Sequence, residues 1–269
     1  MPELPEVETT VRGIAPYLVG QRFDFVRVSQ ASLRWPVPFE LADILTGATC
    51  LSVTRRAKYI LIETDDRPVL AHLGMSGSFR LVSPSTPLKT HDHVQIGVGE
   101  WELRYHDPRR FGCILWADSE RAERLLEALG PEPLSDAFDG AWLHRLAKTR
   151  SVAVKSFIMS NPVVVGVGNI YASEALFMSG IRPTRPANQV SLARYNRLAE
   201  AIKLVLARSI ESGGTTLRDF VNSDGKPGYF QQTLQVYGRA GEPCRACDRI
   251  IRNEVIGGRS SHYCPSCQR

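Results

Sequence analysis

The chain begins Met1-Pro2-Glu3-Leu4-Pro5-Glu6, and its second and third residues have the most direct chemistry. Loss of methionine before proline leaves a secondary amine on Pro2 beside the carboxyl of Glu3. A terminal amine titrates at about 8, against about 10.4 for lysine, so part of it is unprotonated at neutral pH without burial. Such an amine attacks a sugar C1′ and forms an iminium directly, which is covalent catalysis by an amine. Met-Pro also starts many proteins with no such chemistry, so the rest of the chain decides between the two. No basic start, apolar run or small-residue cleavage site reads as a leader, and a cytoplasmic setting is expected.

Spacing defines a second group. Cys244, Cys247, Cys264 and Cys267 form a C-x2-C-x16-C-x2-C pattern. Each short pair can turn two thiolates toward one point, and two such knuckles complete a tetrahedral site of zinc-ribbon spacing. Disulfides or free thiols are the other reading, disfavoured in a reducing compartment. Four cysteines leave no open coordination position, so one structural zinc is expected. Residues 238–269 also carry six arginines against Glu242, Asp248 and Glu254. A module this short buries little core, so metal must hold it. Cys50 and Cys113 lie in apolar, strand-like surroundings and read as buried thiols.

These residues need a body to position them. The 269 residues suffice for two domains with real cores, and no segment reaches the ~18 apolar residues of a membrane span. The net charge of +5 fits a polyanionic partner, or simply a surface with a few extra arginines. Val7, Val11 and Ile14 share one face of a helix predicted over 6–15. From about 20 to 117 the pattern alternates with period two, as in Val94/Ile96/Val98 and Trp101/Leu103/Tyr105, which predicts an antiparallel sandwich or barrel. Helices are predicted over 120–130, 141–149 and 191–212, the last capped by Ser191 and ended by Gly213-Gly214. Residues 213–230 read as a long loop, and loops of that length are usually functional or disordered.

The motifs now on the page resemble those of the formamidopyrimidine-DNA glycosylase family. The carrying segments are MPELPEVET at the start, RRAKY at 55–59, HLGMSG at 72–77, DPRRFG at 107–112, VVGVGNIYASEALF at 164–177, SDGKPGYF at 223–230, QVYGR at 235–239 and the terminal cysteines. The resemblance implies an α+β fold. An N-terminal helix and a two-sheet β-sandwich (1–117) come first. A helix–two-turn–helix domain (118–230) with a lesion-capping loop (213–230) follows, then a zinc-finger β-hairpin (238–269), with DNA in the cleft between. It also implies a monomeric base excision repair enzyme acting on duplex DNA that holds an oxidised purine or an abasic site.

Residue roles follow from the same resemblance. Pro2 is the nucleophile and Glu3 the general acid, with Glu6 either a supporting carboxylate or merely a first-turn helix acid. Lys58 assists β-elimination and Arg259 δ-elimination, Arg259 through phosphate stabilisation more than proton transfer because arginine hardly deprotonates. Lys155 is expected near the lesion, against the alternative of an exposed helix lysine. A base inside a duplex is unreachable unless flipped out, and side chains must then fill the gap. Met75 and Phe111 match the fillers, unless they are core residues, and Arg109 matches the reader of the orphaned cytosine. His72, His91, Arg150, Asn169 and Tyr237 match DNA contacts, as Lys58 and Arg259 also do. The amides of Thr215, Thr216, Leu217, Arg218, Asp219 and Phe220 match the lesion-reading loop. Ser160 stands where the family carries an acid, which touches only local helix geometry. The rival readings are a sister enzyme type resembling endonuclease VIII, a silent lesion-binding protein, and a zinc-ribbon module without catalysis.

Overall fold

Proline and glutamate start the first helix earlier than apolar spacing predicts: α1 spans Leu4–Leu18, with Glu3 as its N-cap and Pro5 in its first turn, where a missing N–H costs nothing. The structure, a computed structural model, describes residues 2–213 and 234–269. Its described residues divide into two units, one formed by 2–127 with 212–213 and the other by 128–211 with 234–269.

In the first unit α1 is followed by β1 (Phe25–Val28), α2 (Leu41–Leu45), β2 (Cys50–Arg56), β3 (Tyr59–Thr64), β4 (Val69–His72), β5 (Ser78–Val82), β6 (Asp92–Val98), β7 (Trp101–His106), β8 (Cys113–Trp116) and α3 (Glu120–Glu127). The strands form two four-stranded sheets, ordered β1-β6-β7-β5 and β2-β3-β4-β8, with every pairing antiparallel. Val7, Val11, Ile14 and Leu18 of α1 join one core with Val94, Ile96 and Leu103 of the first sheet and Ile60, Ile62 and Ile114 of the second. Cys50 and Cys113 lie in this unit's interior. Burial pushes their thiols up to about 11 and about 12, so both stay neutral.

Three features depart from the sequence pattern. Within the stretch read as strands, α2 is helical, because Leu41 and Leu45 bury together four residues apart. All of β6 is buried, although period two leads one to expect a wet face. Its polar residues are bonded instead: Gln95 donates to Ser29 Oγ at 3.1 Å and His93 Nε2 lies 2.7 Å from the Asp107 carbonyl oxygen. Asp92 contacts Arg80, Arg104 and His106. Thirdly, α3 belongs with the sheets and not with the helices that follow. Ala122 is fully buried and the Arg121 guanidinium lies 5.2 Å from the Trp35 ring centroid.

The second unit contains α4 (Gly140–Ala147), α5 (Val154–Ile158), α6 (Asn169–Met178), a 3-10 turn at Ala187–Gln189, α7 (Leu192–Glu211), β9 (Arg252–Ile256) and β10 (Arg259–Tyr263). Residues Ile170 to Leu176 of α6 are all buried, which makes it the central helix of the unit. The β9–β10 hairpin packs into the helices and does not stand apart. Gln268 donates to the Ile181 carbonyl oxygen at 2.9 Å, and Arg269 N–H to that of Gly180 at 3.1 Å. A module with so little core of its own gains from leaning on a larger one. Among the described residues no helix is long and apolar enough to cross a membrane.

Candidate active site and nucleic-acid interface

In the first unit the N-terminus is fixed by its own helix. Pro2 is buried, and Glu3 and Glu6 are each 2 % exposed. The backbone N–H of Glu3 donates to Glu6 Oε2 at 2.8 Å. Glu6 is a first-turn helix acid whose carboxylate holds the backbone of the residue beside Pro2. A short chain of contacts links this helix to Lys58. Glu8 accepts from Arg12 at 2.8 Å and Arg55 at 3.0 Å, and Arg55 Nη1 donates to the Ala57 carbonyl oxygen at 2.8 Å. Ala57 turns the chain between β2 and β3 at φ 55°, a conformation costly for a residue with a Cβ, and Lys58 follows it. Burial acts to raise the Glu8 pKa, but the two guanidinium groups outweigh it and hold the carboxyl low. The sequence reading missed Glu8 and Arg55, whose link joins residues far apart in the chain.

His72 ends β4. Its Nδ1 accepts the Gly74 N–H at 2.9 Å, which leaves Nε2 as the N–H donor. Burial first, then the Lys58 and Arg34 charges, lowers its pKa to about 4. The ring is therefore a neutral, oriented donor at working pH, able to donate to a phosphate oxygen.

Met75, Arg109 and Phe111 are brought together by strand pairing. β4 pairs with β8 so that His72 faces Cys113, which sets the 73–77 and 107–112 turns side by side. Gly74 has φ 64°, and a Cβ there would lie 2.4 Å from the Gly112 nitrogen. A Cβ on Gly112 would lie 2.3 Å from the His72 carbonyl oxygen. Neither contact admits another residue. Met75 is 38 % and Phe111 45 % exposed, so neither is core. The Arg109 guanidinium sits 4.9 Å from the Phe111 ring centroid. Asp107, fully buried, organises the second turn: its carboxylate accepts from Gly112 N–H at 2.8 Å and Arg109 N–H at 3.3 Å. Its role was readable only from the Asp-Pro turn signal. His91 is half-buried at the root of this turn, where its carbonyl oxygen accepts the Asp107 N–H at 3.0 Å.

In the second unit Lys155 is not an exposed helix lysine, being 1 % exposed. Its ammonium donates to Asn169 Oδ1 and Ser261 Oγ, each at 2.6 Å, and to the Ser260 carbonyl oxygen at 3.2 Å. Asn169 opens α6, and its amide donates to the same Ser260 oxygen at 2.9 Å. One buried cation therefore joins α5, the start of α6 and β10. Arg259, exposed, is the residue before Ser260 and follows the tight Gly257-Gly258 hairpin turn, with φ 57° and 74°. Tyr237 packs edge-on against His262 at 5.1 Å. The Tyr237 N–H, with those of Gln235 and Val236, donates to the Glu174 carboxylate at 2.8–2.9 Å. Burial raises the Glu174 pKa despite these three donors. Glu174 was missed as well; a lone acid in the apolar run YASEALF was its only signal. Arg150 is exposed just after α4. Thr215, Thr216, Leu217, Arg218, Asp219 and Phe220 lie outside the described residues.

The cysteines can be tested against a metal. Their four sulfurs lie within 4.8 Å of one another, with individual separations of 4.0, 3.5 and 3.4 Å. A tetrahedron with zinc–sulfur bonds of about 2.3 Å has edges of about 3.8 Å, which these separations bracket. The set fits one structural zinc, held by Cys244, Cys247, Cys264 and Cys267. The backbone N–H of Arg249 is the largest influence holding the Cys247 thiol below its ordinary value, as a metal thiolate requires.

Comparison with known proteins agrees with this arrangement along the whole chain. Residues 1–114 match the formamidopyrimidine-DNA glycosylase N-terminal domain, residues 129–221 the H2TH domain of the same enzymes, and residues 241–269 a zinc finger found in FPG and IleRS. A formamidopyrimidine-DNA glycosylase of Methylococcus capsulatus is 60 % identical over 271 residues, with 100 % of both chains covered. One of Pseudomonas paraeruginosa is 58 % identical over 270 residues, again with full coverage of both. Among solved structures, a Lactococcus lactis FPG variant bound to Fapy-dG DNA superposes with a TM-score of 0.91 at 32 % identity, covering 100 % of both chains. The Lactococcus lactis enzyme on abasic-site DNA gives 0.90 at 32 % identity over 99 % of each. Matched in all three of its segments and by relatives of its own length, the chain belongs to the formamidopyrimidine-DNA glycosylase family.

Proposed function

We infer that the chain is a bifunctional DNA glycosylase and abasic-site lyase of base excision repair, which removes oxidised purines, 8-oxoguanine and formamidopyrimidines, from duplex DNA. The observation that carries this reading is the N-terminus. Pro2, a secondary amine once Met1 is removed, is buried beside Glu3, whose backbone N–H Glu6 holds. In the proposed reaction, with Met1 removed, the Pro2 nitrogen bonds to C1′ and the glycosidic C–N bond breaks, its electron pair leaving with the base. Glu3 protonates the ring oxygen as the C1′–O bond opens, leaving an iminium. The iminium acidifies the C2′ proton; its loss expels the 3′ phosphate, and a second elimination expels the 5′ phosphate. Lys58 assists the first elimination and Arg259 steadies the phosphate in the second. His72 and Asn169 position the backbone. Met75 and Phe111 fill the space the flipped nucleotide leaves, and Arg109 reads the base opposite. The exposed turns that carry these three favour the purine-specific type over the endonuclease VIII-like one. We place the work in the bacterial cytoplasm, on the nucleoid.

Borohydride reduction tests the core of this reading. With a duplex carrying 8-oxoguanine opposite cytosine, the protein forms a covalent adduct that survives denaturation. Pro2→Gly should lose most trapping and strand cleavage yet bind abasic DNA within a few fold, because it keeps a terminal amine and loses only the secondary one. Trapping at the wild-type rate by Pro2→Gly would remove Pro2 as the nucleophile.

A further inference from the structure

The hairpin that bears the cysteines has a second basic feature, which the reading above does not use. A cleft of about 440 Å³ is lined by Arg249, Ile250, Arg252, Pro265 and Ser266. We propose that it binds a phosphodiester of the DNA backbone beyond the stretch gripped around the lesion, so that the protein's footprint extends along one arm of the duplex.

The arginines of this hairpin are not equivalent. Arg239 is consumed internally, bonded to Glu242 at 2.8 Å and to the carbonyl oxygens of Gln235 and Pro243 at 2.6 and 2.9 Å. Arg249 and Arg252 are exposed, and among the described residues no ion pair includes either guanidinium. Both stand on fixed backbone. The Cys244 N–H donates to the Arg249 carbonyl oxygen at 2.9 Å, and the knuckle turns at Asp248 with φ 59°. Arg252 opens β9 and pairs with Tyr263, whereas Arg259 pairs with Ile256 at the other end of the ladder. At about 3.4 Å per residue, four residues place the two ends about 14 Å apart, so the cleft is separate from the Arg259 end.

Its chemistry selects a sugar-phosphate over a bare anion. Two guanidinium forks suit the oxygens of one phosphate, and the Ser266 hydroxyl adds a donor. Ile250, 54 % exposed, and Pro265 supply an apolar wall against which a deoxyribose packs. Asp248 and Glu254 are near in sequence, but neither lines the cleft.

The proposal rests on the DNA-binding reading, and the test separates the two. Affinity is measured across a salt series for two duplexes with a central reduced abasic site, one about a helical turn long and one about three turns. Wild type and Arg249→Gln/Arg252→Gln are compared, with zinc content checked in each. One lost phosphate contact removes about 0.9 from the slope of log K against log salt. The double variant should lose about that much on the long duplex and nothing on the short one, and excision from a short duplex carrying 8-oxoguanine in place of the abasic site should be unchanged. Arg249→Lys/Arg252→Lys should keep most of the slope. An unchanged slope on the long duplex overturns the site, and so does an equal fall on both duplexes, which assigns the arginines to the lesion grip. If the double variant loses zinc, Arg252→Gln alone gives the same comparison. Failure of wild type to bind either duplex overturns the DNA-binding reading itself.

Discussion

Arg109 is held by its backbone and left free at its tip: Asp107 fixes its N–H, while the guanidinium rests over the Phe111 ring. That suits a side chain that must enter a duplex and test what it meets. An orphaned cytosine offers the acceptors N3 and O2, whereas adenine offers N1 beside a donor amino group. A buried donor left unpaired costs about 1–3 kcal/mol, or roughly 5- to 150-fold in rate if felt in the transition state. Excision of 8-oxoguanine opposite cytosine should therefore be faster than opposite adenine by a factor in that range, and Arg109→Ala should flatten the difference while weakening lesion binding. Single-turnover rates on the two duplexes decide it: equal wild-type rates, or an undiminished preference in the variant, remove Arg109 as the reader. Glu3→Gln should bind lesion DNA normally and excise at least about 10²-fold more slowly, the usual worth of a general acid; a normal single-turnover burst would count against the assignment.

At the scale of elements, Lys155 holds α5, the start of α6 and β10 in register, and the cysteine cluster holds the hairpin beside them. Binding of zinc and folding of the hairpin are one free energy, so Cys247→Ser should lose metal and DNA affinity together. Metal analysis beside a binding titration checks this, and full binding without zinc refutes it. Lys155→Met removes the donor to Asn169 Oδ1 and to Ser261 Oγ, whose hydroxyl still donates to the Arg259 carbonyl oxygen at 3.1 Å, and a buried acceptor left unpaired costs about 1–3 kcal/mol. The melting temperature should fall and abasic-site binding weaken before any step of chemistry is reached. A variant with unaltered melting and binding but no excision would instead return Lys155 to the reacting atoms. Here the limits of the sequence show physically. The cysteine cluster was legible because its geometry is set by spacing. Lys155 and Glu174 were not, because what defines them is partners supplied from other parts of the chain. The helix α2 and the buried outer face of β6 escaped for the same reason: period two describes one strand, and not what covers it.

For the molecule as a whole, the buried charges around Asp92 tie its stability to pH. Burial works to raise the Asp92 pKa, but the Lys89 N–H, Arg80 and His106 together hold it below the ordinary value. The unfolded chain therefore takes up this proton first as pH falls. The stabilisation is fully present above the unfolded value of about 3.9 and is lost as pH drops through the lower folded value. Asp92→Asn leaves Arg80 and Arg104 without their shared carboxylate, a loss on the order of 3 kcal/mol for a buried pair. Denaturant unfolding should show the gap to wild type largest near neutrality and shrinking below about pH 4. A gap that stays constant with pH would mean that the charge of Asp92 does not matter.

The contact between Gly74 and Gly112 makes the two turns one piece of hardware assembled from distant stretches of the gene. A side chain on Gly74 would meet the Phe111–Gly112 backbone, and one on Gly112 the Tyr105 hydroxyl and the His72 carbonyl oxygen, so neither root can grow a side chain without separating the pair. The exposed tips, Met75 on one turn and Arg109, Arg110 and Phe111 on the other, carry no such constraint. A descendant of this chain that came to prefer a different base opposite the lesion would alter those tips and keep both glycines.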